Sequence, residues 1–296
     1  MIQKDKGMKI LSIGEIIWDV YPDKKCIGGA PLNFAAHVSL LGAESYLISA
    51  VGKDDLGVSA KEYIKDFGVK TDFIKTNEKT TGICDVTVDD RGVPSYYVRR
   101  DTAYDNIVID ENDTKSINDK SFDLFYFGTL IQRQSVSEEA LKKILSECPF
   151  PEIFCDVNLR PNCYRKETVL TCLNHATVLK ISDEEEPLLR ELGIYGDAPV
   201  DTESIAETLA KQYPNLKIII ITMGEKGAFA YRTSDSRKVY QPAVPVKVAS
   251  TVGAGDSFSA AFAKAYLDGA SLGDALKSGA ELSSFVCSRT EAVPRK

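Results

Sequence analysis

The sequence predicts an α/β fold in which a mainly parallel sheet is covered by helices on both sides. Three observations predict it. First, six short apolar runs recur along the chain: MKILSIGEI, ESYLISAVG, DLFYFGTL, EIFCDVN, ATVLKIS and KIIIITMG. Runs of this length read as strands buried on both faces, as in a parallel sheet. Second, helical patterns lie between them, and strands alternating with helices imply βαβ units. Third, one stretch from about Thr80 to Asp105 has no helical pattern and breaks the rhythm.

The elements follow in order. After the first strand comes WDVYPDKKCIGG, an extended segment able to pair with the irregular stretch. APLNFAAHVSLLG places Leu32, Ala35, Ala36, Ser39 and Leu40 on one helical face and ends at Gly42, a suitable helix-terminating glycine. TGICDVTVDDRGVPSYYVRR reads as two strands around the turn DDRGVP, broken by Gly92 and Pro94. Asp85 and Thr87 alternate there with Cys84, Val86 and Val88, so one face meets water. Such a hairpin is either an edge ornament or a separate flap. SEEALKKILSEC, EEPLLRELG and DTESIAETLAKQY supply further helices, and the last opens on Asp201, Thr202 and Glu203, a good N-terminal cluster.

Composition narrows the functional classes. The 296 residues contain no repeat, no low-complexity segment and no linker between two halves. A net charge of −7 argues against a broad nucleic-acid face. No apolar run approaches the ~20 residues that span a bilayer, and MIQKDKGMKILSIG lacks the apolar stretch of a signal peptide. The seven cysteines include no C-x-x-C pair, which points to a reducing compartment without structural disulfides. The two histidines show no metal-ligand spacing, so a protein-held zinc is not expected.

Five motifs carry possible chemistry. In STVGAGDSFSAAF, Gly253, Ala254 and Gly255 let the backbone approach a ligand. A helix starting near Gly255 or Asp256 would point free N–H groups at an anion. Asp256 beside that anion would suit a base that takes a hydroxyl proton. Alone, the motif is equally a glycine turn with a capping aspartate. In CIGGAPLN, Gly28 and Gly29 precede a helix beginning near Pro31, and Asn33 lies in its first turn, as a partner for hydroxyls or a satisfied cap. In TMGEKG, Thr222, Gly224 and Gly227 leave room for a nucleotide or form a plain hairpin turn. In DVNLRP, Asn158 and Arg160 sit at a strand end, where open α/β sheets bind ligands, or simply close a turn. In KISDEEEPLL, Ser182 caps a helix, and one of the following acids is able to recruit hydrated Mg2+.

Together these motifs, in this order, resemble the ribokinase/fructokinase (PfkB-type) carbohydrate kinases across nearly the whole chain, and the fructokinase branch most. The resemblance implies a single domain over 1–296: a doubly wound, three-layer α/β/α fold with a β lid from about 16–28 and 80–105. It implies transfer of the γ-phosphoryl of MgATP to a primary hydroxyl of a free hexose, fructose first. Asp256 matches the base, and Gly253, Ala254 and Gly255 match the anion hole. Asp19, Gly28, Gly29 and Asn33 match sugar-binding positions, with Tyr97 and Arg99 as lid contacts and Arg160 as a cation near the phosphate. Ser182, Thr222, Gly224 and Gly227 match the nucleotide side, and Glu185 the acid that organises Mg2+ through water. Ser250 stands where many members carry Asp or Asn in a monovalent-cation loop, which weakens the expectation of K+. The end at EAVPRK leads us to expect that a terminal helix is absent. A homodimer through the lid, a cytoplasmic location and no nucleic-acid or membrane partner are also implied. Ribose, 2-keto-3-deoxygluconate or a nucleoside are alternative acceptors, and Arg99 and Arg100 keep an acidic sugar open. A non-catalytic sugar sensor is a further alternative. A nicotinamide enzyme is disfavoured, because GEIIWD lacks the G-x-G-x-x-G fingerprint.

Overall fold

A computed structural model describes residues 7–88, 94–196 and 201–295. The main sheet is built from β1 (Lys9–Ile13), β4 (Glu44–Gly52), β5 (Ile74–Asn77), β8 (Leu124–Gly128), β9 (Glu152–Asp156), β10 (Val178–Ser182), β11 (Ile218–Thr222), β12 (Ala228–Arg232) and β13 (Arg237–Gln241). Its order is β13-β12-β11-β10-β9-β8-β1-β4-β5. The six strands expected from apolar runs are its parallel centre. β5 extends that centre in parallel, while β12 and β13 add an antiparallel edge.

The helices are α1 (Ala30–Leu40), α2 (Asp55–Asp66), α3 (Glu111–Lys120), α4 (Ser135–Glu147), α5 (Lys166–His175), α6 (Glu186–Glu191), α7 (Thr202–Gln212), α8 (Ala254–Leu267) and α9 (Leu272–Cys287). Alternation along each strand sends successive side chains to opposite layers. Phe125, Phe127, Leu179 and Ile219 pack with Ile117, Leu141, Val169 and Leu209 from α3, α4, α5 and α7. Tyr126, Phe154, Val178 and Ile220 pack instead with Phe34, Phe262 and Leu276 from α1, α8 and α9. The result is a doubly wound, three-layer fold. α1 departs from its expected single face. It is buried nearly all round because it lies between β1, β4 and α8, and Leu40 is the exposed end, at 48%.

A second sheet covers one end of the first. It comprises β2 (Ile17–Val20), β3 (Lys25–Gly28), β6 (Gly82–Val88) and β7 (Pro94–Val98), in the order β3-β2-β6-β7. WDVYPDKKCIGG thus pairs with the irregular stretch, through parallel β2 and β6. Residues 89–93 of the DDRGVP turn lie outside the described residues. Ile17, Cys84 and Val86 of the small sheet pack on Tyr104 and Leu130 of the body. At its base, Arg133 pairs with Asp105 at 2.7 Å, both about 1% exposed, and donates to the Arg99 carbonyl at 2.6 Å. The seven cysteines are free. Among the described residues, no helix is long and apolar enough to cross a membrane.

Candidate active site

The order of the main sheet reverses between β1 and β8, with β4 and β5 on one side and β9, β10 and β11 on the other. Such a switch point opens a crevice beyond the carboxyl ends of the strands. The motifs converge there.

α8 begins one to two residues earlier than expected, at Ala254, with Gly253 as its N-cap. Gly253 has φ 79°, and a Cβ there would stand 2.7 Å from the Ala292 carbonyl oxygen. Only glycine fits such a turn without strain. Asp256 is therefore the third residue of α8 and not its cap. Ala254 donates its N–H to the Thr251 carbonyl at 3.2 Å. The turn into the helix thus already uses one of the donors expected in the anion hole. The N–H groups of Gly255 and Asp256 remain among the helix-start donors that the helix itself leaves unsatisfied.

Asn33 Nδ2, from the first turn of α1, donates to Asp256 Oδ2 at 2.8 Å. Burial pushes the Asp256 carboxyl up to about 6, and the Asp156 charge adds to the rise. The Asn33 bond and the charges of Arg160 and Lys180 hold it back from rising further. A Cβ on Gly28 would lie 3.8 Å from Asp19 Oδ2 and 4.0 Å from Asn33 Nδ2, so these two polar groups converge over the glycine backbone. Gly29 follows with φ 114°, where a Cβ would meet the Glu15 carbonyl oxygen at 2.4 Å. Burial also raises Asp19.

The small sheet's register settles which lid side chains face this floor. Asp19 pairs with Cys84 and Cys84 with Val98, so these share the face that packs on the body. Tyr97 pairs with Asp85, one residue out of step, and Arg99 salt-bridges Asp85 at 2.7 Å. Tyr97 and Arg99 therefore lie on the opposite face, and Tyr96 shares the face of Asp19. This corrects the expected lid contacts, since sequence alternation alone left the phase open. Arg100 donates to the Asn162 carbonyl at 2.5 Å. Arg160 is exposed, and its charge lowers the pKa of Glu15, Asp19 and Asp256, which places it near all three carboxyls.

On the other flank, Glu185 is 8% exposed and ties two strand ends together. Its oxygens accept N–H groups from Leu159 at 2.5 Å and from Ser182 at 2.7 Å. Burial, with the Asp156 charge, raises its pKa. Ser182 is not the helix cap expected, because it ends β10 and α6 starts only after Glu185. Thr222 ends β11 beside it. Gly224 opens the short turn that Gly227 closes into β12, so TMGEKG is a hairpin turn at the crevice. Ser250 accepts the Val252 N–H at 3.2 Å through its hydroxyl.

Three residues at the site went unread in the sequence. Glu15 is 5% exposed and accepts the Ala30 N–H at 3.0 Å, and burial pushes it up to about 7. Asp156 and Lys180 form a buried pair at 2.8 Å. The available signal was a charge inside runs otherwise apolar, FCDV and VLKIS, since a buried charge demands a partner.

A carboxyl with a raised pKa, set at a helix start in the crevice of a doubly wound sheet, is suited to take a proton from a hydroxyl. The chain belongs to the pfkB family of carbohydrate kinases, whose model matches residues 10–295. It is 27% identical to probable fructokinase-7 of Arabidopsis thaliana over 276 residues, covering 86% of this chain and 78% of that one. It is 26% identical to a 5-dehydro-2-deoxygluconokinase of Clostridium botulinum over 295 residues, covering 94% and 86%. Among solved structures, an uncharacterised sugar kinase of Pyrococcus horikoshii in complex with ATP superposes with a TM-score of 0.77 at 29% identity, covering 97% and 95%.

Proposed function

We propose that this sugar kinase transfers the γ-phosphoryl of ATP to a primary hydroxyl of a hexose, fructose first, giving the 6-phosphate. The observation that carries this reading is Asp256: its carboxylate is oriented by Asn33 at 2.8 Å and raised to about 6, close enough to neutrality to accept a hydroxyl proton. The hydroxyl proton passes to Asp256, the freed oxygen attacks the γ-phosphorus, and ADP leaves. Gly28, Gly29, Asp19 and Asn33 hold the other hydroxyls, with Tyr96 above them. Gly253, Gly255 and the start of α8 face the phosphate, where fixed donors favour the charge that develops.

The nucleotide lies along Ser182, Thr222, Gly224 and Gly227. Among the described residues no three His, Cys, Asp or Glu side chains cluster as ligands. The donor set instead fits Mg2+ held mainly by phosphate oxygens and water. Each Glu185 oxygen carries one N–H and keeps a lone pair for such a water. A bound Mg2+ would offset phosphate charge. We also read the chain as one domain, and as a homodimer through the outer lid face, where Tyr97 is 65% exposed. The free cysteines support a reducing, cytoplasmic setting.

A sugar acid is the second reading. Arg160 is the observation that favours it, because its charge acts on Asp19 while Arg99 and Arg100 are engaged elsewhere. The likeness to a 5-dehydro-2-deoxygluconokinase points the same way. ADP release over fructose, glucose, ribose, 2-keto-3-deoxygluconate, 5-dehydro-2-deoxygluconate and a nucleoside, with and without K+, separates the readings. Fructose should give the highest kcat/KM. A sugar acid ahead by tenfold transfers the assignment to the second reading.

A further inference from the structure

Lys180 and Asp156 stand directly opposite each other on β10 and β9, on the sheet face that α8 covers. Their side chains are 7% and 2% exposed. Lys180 Nζ donates to both carboxylate oxygens, at 2.9 and 2.8 Å. Ser259 of α8 donates to the same carboxylate at 2.9 Å, and Tyr126 at 3.5 Å. Burial disfavours the ammonium and is the largest single influence, yet the Asp156 charge and hydrogen bonds, with the charges of Glu185 and Asp256, together leave the Lys180 pKa raised. A buried ion pair is weak as a stabilising device, because apolar residues of the same volume often serve as well or better. Stability alone therefore gives little reason for charges here.

Position gives a better reason. Lys180 Nζ lies 3.5 Å from where a Cβ on Gly255 would stand, so the ammonium sits directly against the first turn of α8. Its charge also acts with Asp256 and Glu185. We propose that Lys180 is a positioning residue for phosphoryl transfer: clamped by Asp156, it sets a fixed, dry positive charge beneath Gly255 and keeps Asp256 ionised. The inference rests on Asp256 being the base. Lys180 need touch neither sugar nor nucleotide, since a preorganised charge in a water-poor site acts without reorganising as phosphoryl charge develops. The charged groups acting on Asp256 are Asp156 and Arg160 from β9 and the loop after it, Lys180 from β10, and Glu15 from beyond β1. Arg160 is exposed to solvent, which leaves Lys180 as the dry cation of the set.

The test measures kcat, sugar KM and the pH profile of kcat/KM for Lys180→Met, Lys180→Arg, Lys180→Met/Asp156→Asn and Asp256→Asn. Lys180→Met should lower kcat 10- to 100-fold with sugar KM within threefold. It should also move the acid limb up, by roughly one to three pH units for one charge about 4 to 12 Å away at an effective dielectric near 20. Lys180→Arg, which keeps the charge, should restore most of that limb. The double variant removes the carboxylate that would be stranded, so it guards against misfolding. It also removes the Asp156 charge that raises Asp256, so its acid limb should return near wild type while kcat stays at least tenfold down. A folded double variant with wild-type kcat overturns the proposal, and so does a folded Lys180→Met with an unmoved acid limb. Normal turnover by Asp256→Asn would remove the base and this proposal with it. Normal turnover by the Lys180 variants beside an inactive Asp256→Asn removes this proposal alone.

Discussion

Asn33 and Asp256 are 223 positions apart in the chain and 2.8 Å apart in the fold, with the amide of one donating to the carboxylate of the other. The contact joins the first turn of α1 to the first turn of α8, two helices that pack along each other. It fixes where the Asp256 carboxylate points and stabilises its ionised form. Asn33→Ala should therefore lower kcat/KM about 10- to 100-fold, within the range that misplaced catalytic groups cost. Asn33→Asp should instead set a second carboxylate beside the first and move the acid limb of kcat/KM upward. A pH–rate profile of the two variants distinguishes these effects. An Asn33→Ala enzyme with unchanged kcat/KM would remove the orienting role.

Glu15 makes a prediction about stability. Its carboxyl is raised from 4.5 to about 7 by burial. The folded state then holds a proton that the unfolded chain gives up, so Glu15 stabilises most below about pH 4.5, and that contribution is lost as pH rises through 7. The loss is on the order of 3 kcal/mol. Glu15→Gln keeps an acceptor for the Ala30 N–H without the charge. Its melting temperature should exceed wild type at pH 8 and fall less between pH 5 and 8. A parallel pair of melting curves would show that Glu15 is not the source of the slope.

Gly253→Ala should cost about 1–3 kcal/mol, as a side chain forced into a left-handed turn typically does. The Ala292 carbonyl at 2.7 Å adds a clash. Denaturant unfolding reads the loss, and turnover should fall with it because the same turn aims the start of α8. Wild-type stability would mean that the turn relaxes.

The lid register separates two neighbouring tyrosines. Tyr96→Ala should raise sugar KM several-fold, because Tyr96 shares the face of Asp19. Tyr97→Ala should leave sugar KM within twofold and weaken self-association, read by sedimentation at several concentrations. Exchange of the two phenotypes would contradict the register.

Much of this was legible in the sequence, for physical reasons. Both-face burial wrote β1, β4, β8, β9, β10 and β11 as apolar runs, and the same runs located the strand ends where the motifs converge. The lid's existence was legible because Thr80–Asp105 breaks the helical rhythm. Its phase was not: Tyr96 and Tyr97 are both exposed, so burial left no mark to tell the faces apart. α1 hid its packing for the opposite reason, since residues buried all round show no stripe. Ser182 looked like a cap because caps and strand ends use the same residues. The Lys180–Asp156 pair was visible only as two isolated charges, and their pairing depends on a cross-strand register that no single run contains.

The most direct test of the central claim is ADP release by Asp256→Asn at saturating ATP and sugar, with binding of both ligands measured by calorimetry. If Asp256 is the base, turnover falls about 10²- to 10⁴-fold, as expected for loss of a general base, while both dissociation constants stay within a few-fold of wild type. Turnover within tenfold of wild type, with both ligands bound, would contradict the account.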